Sequence, residues 1–143
     1  MNRILENMQP FALLVLRAVL GLILAVHGWL KVDGGMAEFK GFLVSIGVPG
    51  WMGYVSAYAE LVGGVLLIVG LLTRFAAFTL FINMVVAVKA IWKNGLLGAQ
   101  GYQFPLALAA MAFALIFFGG GSISLDTAIF HAPRKGPGKG PSK

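Results

Sequence analysis

Long apolar runs broken by single polar residues set the pattern of this chain from Phe11 to Gly121. The first run, Phe11 to Leu30, has about the twenty residues that a bilayer-crossing helix needs. Its Leu, Ile, Val and Phe residues each favour insertion by about 0.3–0.6 kcal/mol, and together they outweigh the off-centre Arg17 at under about 3 kcal/mol. After Asp33-Gly34-Gly35, the residues Met36, Phe39, Leu43 and Ile46 recur at helical spacing, with Glu38 and Lys40 away from that face. The segment 36–46 is too short to cross a bilayer, so the pattern predicts an amphipathic helix lying in the interface.

Gly47-Val48-Pro49-Gly50 reads as a turn, and a second span follows over 51–72 with Glu60 near its middle. Thr73-Arg74 leaves almost no loop before a third span, 75–92, so these two helices are expected to be antiparallel neighbours. Asn94, Gly95, Gly98 and Gly101 mark the next loop. A fourth span over 102–119 begins near Pro105, where proline is tolerated in a first helical turn, and ends at Gly119-Gly120-Gly121. A short interfacial segment is expected over 122–130. The Gly, Pro and Lys residues of 131–143 form an expected disordered, basic, cytoplasmic tail. The predicted fold is thus an all-α membrane protein: a four-transmembrane-helix bundle over 1–130, with a short interfacial helix between spans one and two.

Composition agrees. Of 143 residues, 59% are hydrophobic and 11% charged, with a mean hydropathy of +0.88, and a water-soluble fold could not hide so much apolar surface. The chain has no cysteine, which excludes thiol chemistry, disulfide relays and cysteine-ligated clusters. The net charge of +6 owes much to the tail, which suits an anionic lipid surface rather than nucleic acid. The first run contains Arg17 and His27, lacks a small-x-small cleavage site and is too long for a signal peptide, so it is expected to remain as a span. Arg3, Arg17, Arg74 and the tail bases outnumber Lys31, Lys40, Lys89 and Lys93 on the other side, so the positive-inside rule predicts cytoplasmic N- and C-termini.

Polar residues inside spans are costly and turn toward the bundle, which singles out Arg17, His27, Lys31, Glu60 and Asn83 as candidate ligand- or partner-binding residues. Arg17, Gly21, Leu24, His27, Gly28 and Lys31 share one face of span one. Counted at about 1.5 Å per residue from the outer ends, Glu60 and Asn83 lie roughly 13 Å deep, Arg17 about 20 Å and His27 about 5 Å. A long arginine side chain is therefore expected to reach Glu60. In the plainer reading that pair only holds spans one and two together. In the sharper reading, His27 and Lys31 above the pair complete a polar cleft for an anionic or quinone-like ligand. His27 could ligate a metal or haem, but His131 is the only other histidine, so a polar contact is the better reading and no metal site is assigned. Gly53, Ala57, Gly63 and Gly64 read as close helix packing.

These residues resemble the DoxX family of small bacterial membrane proteins. The resemblance runs from Leu16-Arg17 and Leu20-Gly21 through His27-Gly28 with Lys31, then Leu43 with Gly47-Val48-Pro49. It continues with Glu60 and Gly63-Gly64, Gly70-Leu71-Leu72-Thr73-Arg74, and Gly121 with Ser124-Leu125-Asp126. It implies a four-helix protein of the bacterial inner membrane, linked in some members to quinone-coupled sulfur oxidation or to complexes handling oxidative and thiol stress. The chain departs from the family pattern at Trp92, Gln103 and Ser122, where the family often has His, Glu and Arg, so no catalytic residue is carried over.

Two functions compete. One is a non-catalytic membrane subunit of a redox or stress-response system, in which the cleft binds quinone or docks a soluble oxidoreductase. The other is a small proton-coupled transporter or channel relaying protons through Glu60 and His27, which needs a homo-oligomer to enclose a path because four spans show neither broken helices nor a repeat. A purely structural anchor is the third alternative.

Overall fold

A computed structural model describes residues 1–131. The expected tail, from residue 132 onward, lies outside the described residues. Within them the only regular structure is helical: α1 (Asn2–Leu30), α2 (Met36–Ser45), α3 (Met52–Val69), α4 (Thr73–Ala90), α5 (Gln103–Phe118) and the short α6 (Leu125–Phe130). Three stretches are long and apolar enough to cross a membrane: the first, running from α1 into α2, then α3 and α4. At 16 residues α5 is equally apolar but spans only about 24 Å.

The first helix starts at Asn2, nine residues before the apolar run, and runs through Pro10, which lacks the N–H for one backbone hydrogen bond. It does not end cleanly at Leu30. A widened π-type turn over Lys31–Gly35 joins it to α2, and the direction changes at Asp33 (φ −83°, ψ 18°) and Gly34 (φ 140°, ψ −16°). Only glycine takes that φ without strain, so the Asp33-Gly34-Gly35 break seen in the sequence is a kink that folds α2 back over α3.

Small residues set the helix pairing. A Cβ placed on Gly21 would stand 2.5 Å from the Gly64 carbonyl oxygen, and one on Gly28 would collide with the backbone of Ala57 and Leu61. The backbones of α1 and α3 therefore touch, in an antiparallel register that sets Gly21 beside Gly64 and Gly28 beside Ala57. Gly70 (φ 74°) closes α3, and Leu72 (φ 49°) leads directly into α4, giving the tight α3–α4 turn that the near-absence of a loop required. A core of Leu20, Leu24, Leu67, Ala77, Leu80, Ala112 and Leu115, all at most 1% exposed, fills the middle of the bundle.

Candidate functional site

The buried polar groups divide into two clusters separated by that leucine layer. In the first, the Lys31 ammonium donates to both carboxylate oxygens of Glu60, at 2.8 and 2.9 Å. Asn83 Nδ2 donates to Glu60 Oε1 at 2.8 Å, and the Ser56 hydroxyl donates to Asn83 Oδ1 at 2.9 Å. The Lys31 ammonium also lies 4.1 Å from the Phe39 ring centroid, a cation–π contact supplied by α2. The Glu60 side chain is 4% exposed and that of Lys31 21%, so the pair is buried on the carboxylate side and reachable on the ammonium side.

Each member has a local reason for its position. Side chains on α1 lean toward its N-terminus, so Lys31, at the helix end, points down into the bundle toward Glu60. Ser56 precedes Glu60 by four residues and so shares its face of α3. Asn83 is presented by α4, antiparallel to α3 across the tight turn. The network carries no net charge and keeps spare donors: one ammonium N–H of Lys31 and one amide N–H of Asn83. A cavity of about 280 Å³ ends on it, bounded by α2, α3 and α4, with walls that apart from Thr79 are apolar, such as Phe42, Leu43, Val55, Ile82 and Val86.

Arg17 belongs to the second cluster, at the opposite end of the bundle. Its Nη1 donates to the Gly120 carbonyl and its Nη2 to the Ile123 carbonyl at 2.9 Å, so the guanidinium holds the α5–α6 connection against α1. Asp126, in α6, accepts from the N–H of Leu72 at 2.7 Å and of Thr73 at 2.8 Å, which caps the N-terminus of α4. Its own N–H donates to the Gly70 carbonyl at 2.9 Å. Burial alone would raise the Asp126 pKa. The Thr73 N–H, the nearby Thr73 hydroxyl dipole, the Leu72 N–H and the Arg17 charge outweigh that and hold it below the usual aspartate value. The Thr73 hydroxyl is itself buried without a hydrogen bond of ordinary geometry, so it acts on Asp126 only as a neighbouring dipole.

The expected Arg17–Glu60 pair does not form. Depth counting placed the two within reach, but the glycine register sets Arg17 beside Gly70, ten residues and about 15 Å beyond Glu60 along α3. His27 is also outside the Glu60 network: it is exposed, and its ring packs on Phe104 of α5 with centroids 5.6 Å apart. Of the five candidates, Lys31, Glu60 and Asn83 come together. Ser56 and the Asp126 cap were missed, although Ser56 could have been found from its i, i+4 spacing to Glu60.

The DoxX family model matches residues 12–94, which contain the whole Lys31–Glu60–Asn83–Ser56 network. The chain belongs to the DoxX family. This DoxX chain is 34% identical over 126 residues to a Bacillus subtilis protein named "Putative oxidoreductase CatD", covering 86% of this chain and 90% of that one. It is 32% identical to a Haemophilus influenzae protein, covering 88% and 96% of the two chains. It is also 32% identical to the Mycobacterium tuberculosis membrane protein Rv3486, covering 87% and 85%. No solved structure matches it.

Proposed function

We propose that this chain is a four-span membrane subunit of a redox or oxidative-stress system, whose cavity above Glu60 takes the head of a quinone-like, lipid-soluble ligand. The observation that carries this reading is an apolar cavity ending on a neutral network with spare N–H donors. A flat ring with carbonyl acceptors fits that combination, since Lys31 and Asn83 can each donate one more hydrogen bond and the walls are apolar. An anionic head fits less well, because the Lys31 charge is already matched by Glu60. When bound, a quinone would supply two-electron exchange to a soluble oxidoreductase docked at the membrane. The residues of this chain would bind it, orient its carbonyl and keep water from it. The name of the Bacillus subtilis relative supports a redox setting.

In the same reading α5 is the fourth span, tilted little and lying in a locally thinner part of the bilayer. The helix α2 lies in the interface, the N-terminus and tail are cytoplasmic, and the protein resides in a bacterial inner membrane. The layer of Leu20, Leu24, Leu67 and Leu80 closes the interior of one protomer between the Glu60 and Arg17 ends, so the transporter alternative requires a path between copies.

Decylubiquinone binding to the protein in nanodiscs tests the reading. Saturable binding by the wild type, weakened at least about tenfold in a well-folded Lys31→Met, Glu60→Gln double variant, is expected for the loss of a charge-assisted hydrogen bond. Equal binding by both proteins, or none by the wild type, would rule it out.

A further inference from the structure

At the Arg17 end, a second cavity of about 680 Å³ opens between the start of α4 and the α5–α6 connection. Its basic wall is Arg74, which is exposed and has no hydrogen bond or ion pair among the described residues. The guanidinium rests on Gly119, whose Cβ, were there one, would stand 3.2 Å from the arginine Nε. Gly119 has φ 71° and Gly121 φ 75°, backbone settings that a side chain disfavours, so this loop is built bare where Arg74 crosses it. The backbone N–H groups of Gly120, Gly121 and Ser122 have no acceptor among the described residues. Successive unpartnered N–H groups beside an arginine are a concavity suited to an anion.

The carboxylate lining this cavity, Asp126, does not cancel the arginine. Both its oxygens accept from the α4 N-terminus, and the Arg17 charge attracts it from the buried side. The rim is aromatic: Phe75, Phe118 and Phe130 are 69%, 69% and 63% exposed. A free anion meets only Arg74, whereas an amphiphile with an anionic head and acyl chains meets both Arg74 and these rings. We propose that this cavity binds the phosphate of an anionic phospholipid, between the Arg74 guanidinium and the Gly119–Ser122 backbone, with the acyl chains against Phe75 and Phe118. The site is independent of the cavity above Glu60 and stands or falls separately from the quinone reading.

Native mass spectrometry of the full chain, released from nanodiscs containing phosphatidylglycerol and phosphatidylcholine, tests the proposal. The wild type is expected to retain phosphatidylglycerol in preference to phosphatidylcholine. Arg74→Gln is expected to lose at least about tenfold of that preference, the size of a charge-assisted hydrogen bond. Gly119→Ala should act in the same direction by displacing the guanidinium. A variant with Arg134, Lys135, Lys139 and Lys143 all changed to Gln controls for the basic tail and is expected to keep the preference. Millimolar inorganic phosphate is expected not to displace the lipid. Undiminished retention by Arg74→Gln overturns the proposal, as does complete loss in the tail variant. Displacement by inorganic phosphate overturns the lipid assignment in favour of a free-phosphate site.

Discussion

The two polar clusters use the same kinds of charge in opposite ways. At the Arg17 end, charges meet backbone: the guanidinium takes the Gly120 and Ile123 carbonyls, and Asp126 takes the N–H groups of Leu72 and Thr73. Backbone groups cannot move away without unwinding their elements, so this cluster fastens α1, α4 and α6 into one end of the bundle. At the Glu60 end, side chains meet side chains, spare donors remain and a cavity lies beside them. Such a network can rearrange around a ligand at modest cost. The contrast teaches that a buried charge is read better by the kind of partner it has than by its depth.

The largest expected effect comes from breaking the backbone-bound cluster. Arg17→Met removes both charge-assisted carbonyl contacts, a loss of about 3–5 kcal/mol, measurable by reversible unfolding in bicelles. Comparable stability of this variant and the wild type would show that the α5–α6 connection is held by packing alone.

Next come the members of the Glu60 network. Lys31→Met alone leaves a carboxylate buried with only Asn83 to satisfy it and is expected to cost about 1–3 kcal/mol. The double variant Lys31→Met, Glu60→Gln should recover most of that stability because no lone charge remains. If the single variant costs nothing, the pair is loose enough to be hydrated and the cavity is open to water.

Asp126→Ala removes the α4 cap and should cost about 1–2 kcal/mol near neutral pH. Because the folded pKa of Asp126 lies below its unfolded value, its contribution is fully present above that unfolded value of about 4 and is lost as pH falls through the folded one. The stability gap between wild type and Asp126→Ala should therefore be constant above about pH 5 and narrow below about pH 4. A gap that widens on acidification would reverse the assigned sign. The smallest effect is a gain: Leu72 sits at φ 49°, so Leu72→Gly should stabilise by about 0.5 kcal/mol once the entropy of the unfolded glycine is offset.

The helices could be read from hydrophobic period and turn residues, since Gly47-Val48-Pro49-Gly50 and the Gly70 to Arg74 turn leave little freedom. The start of α1 could not, because Pro10 reads as the start of a helix at Phe11 whereas it lies inside one. The candidate site was half legible. Lys31, Glu60 and Asn83 stood out as polar residues at apolar positions, but partners depend on the register between helices. Counting depth from assumed span ends put Arg17 only about 7 Å beyond Glu60, where the helix register puts it about 15 Å beyond. Matching Gly21 with Gly64 and Gly28 with Ala57 would have set the register correctly, because only small residues allow backbones to touch. Asp126 was quoted as part of a family motif, but that it caps α4 and faces Arg17 follows only from how the α5–α6 connection folds back.

The partition of these charges is tested most directly by a pair of double-mutant cycles on unfolding free energy, one for Lys31→Met with Glu60→Gln and one for Arg17→Met with Glu60→Gln. Expected are a coupling above about 1 kcal/mol in the first cycle and additivity within about 0.5 kcal/mol in the second. Coupling between Arg17 and Glu60 as large as that between Lys31 and Glu60 would contradict the two-cluster arrangement and restore a single intramembrane ion network.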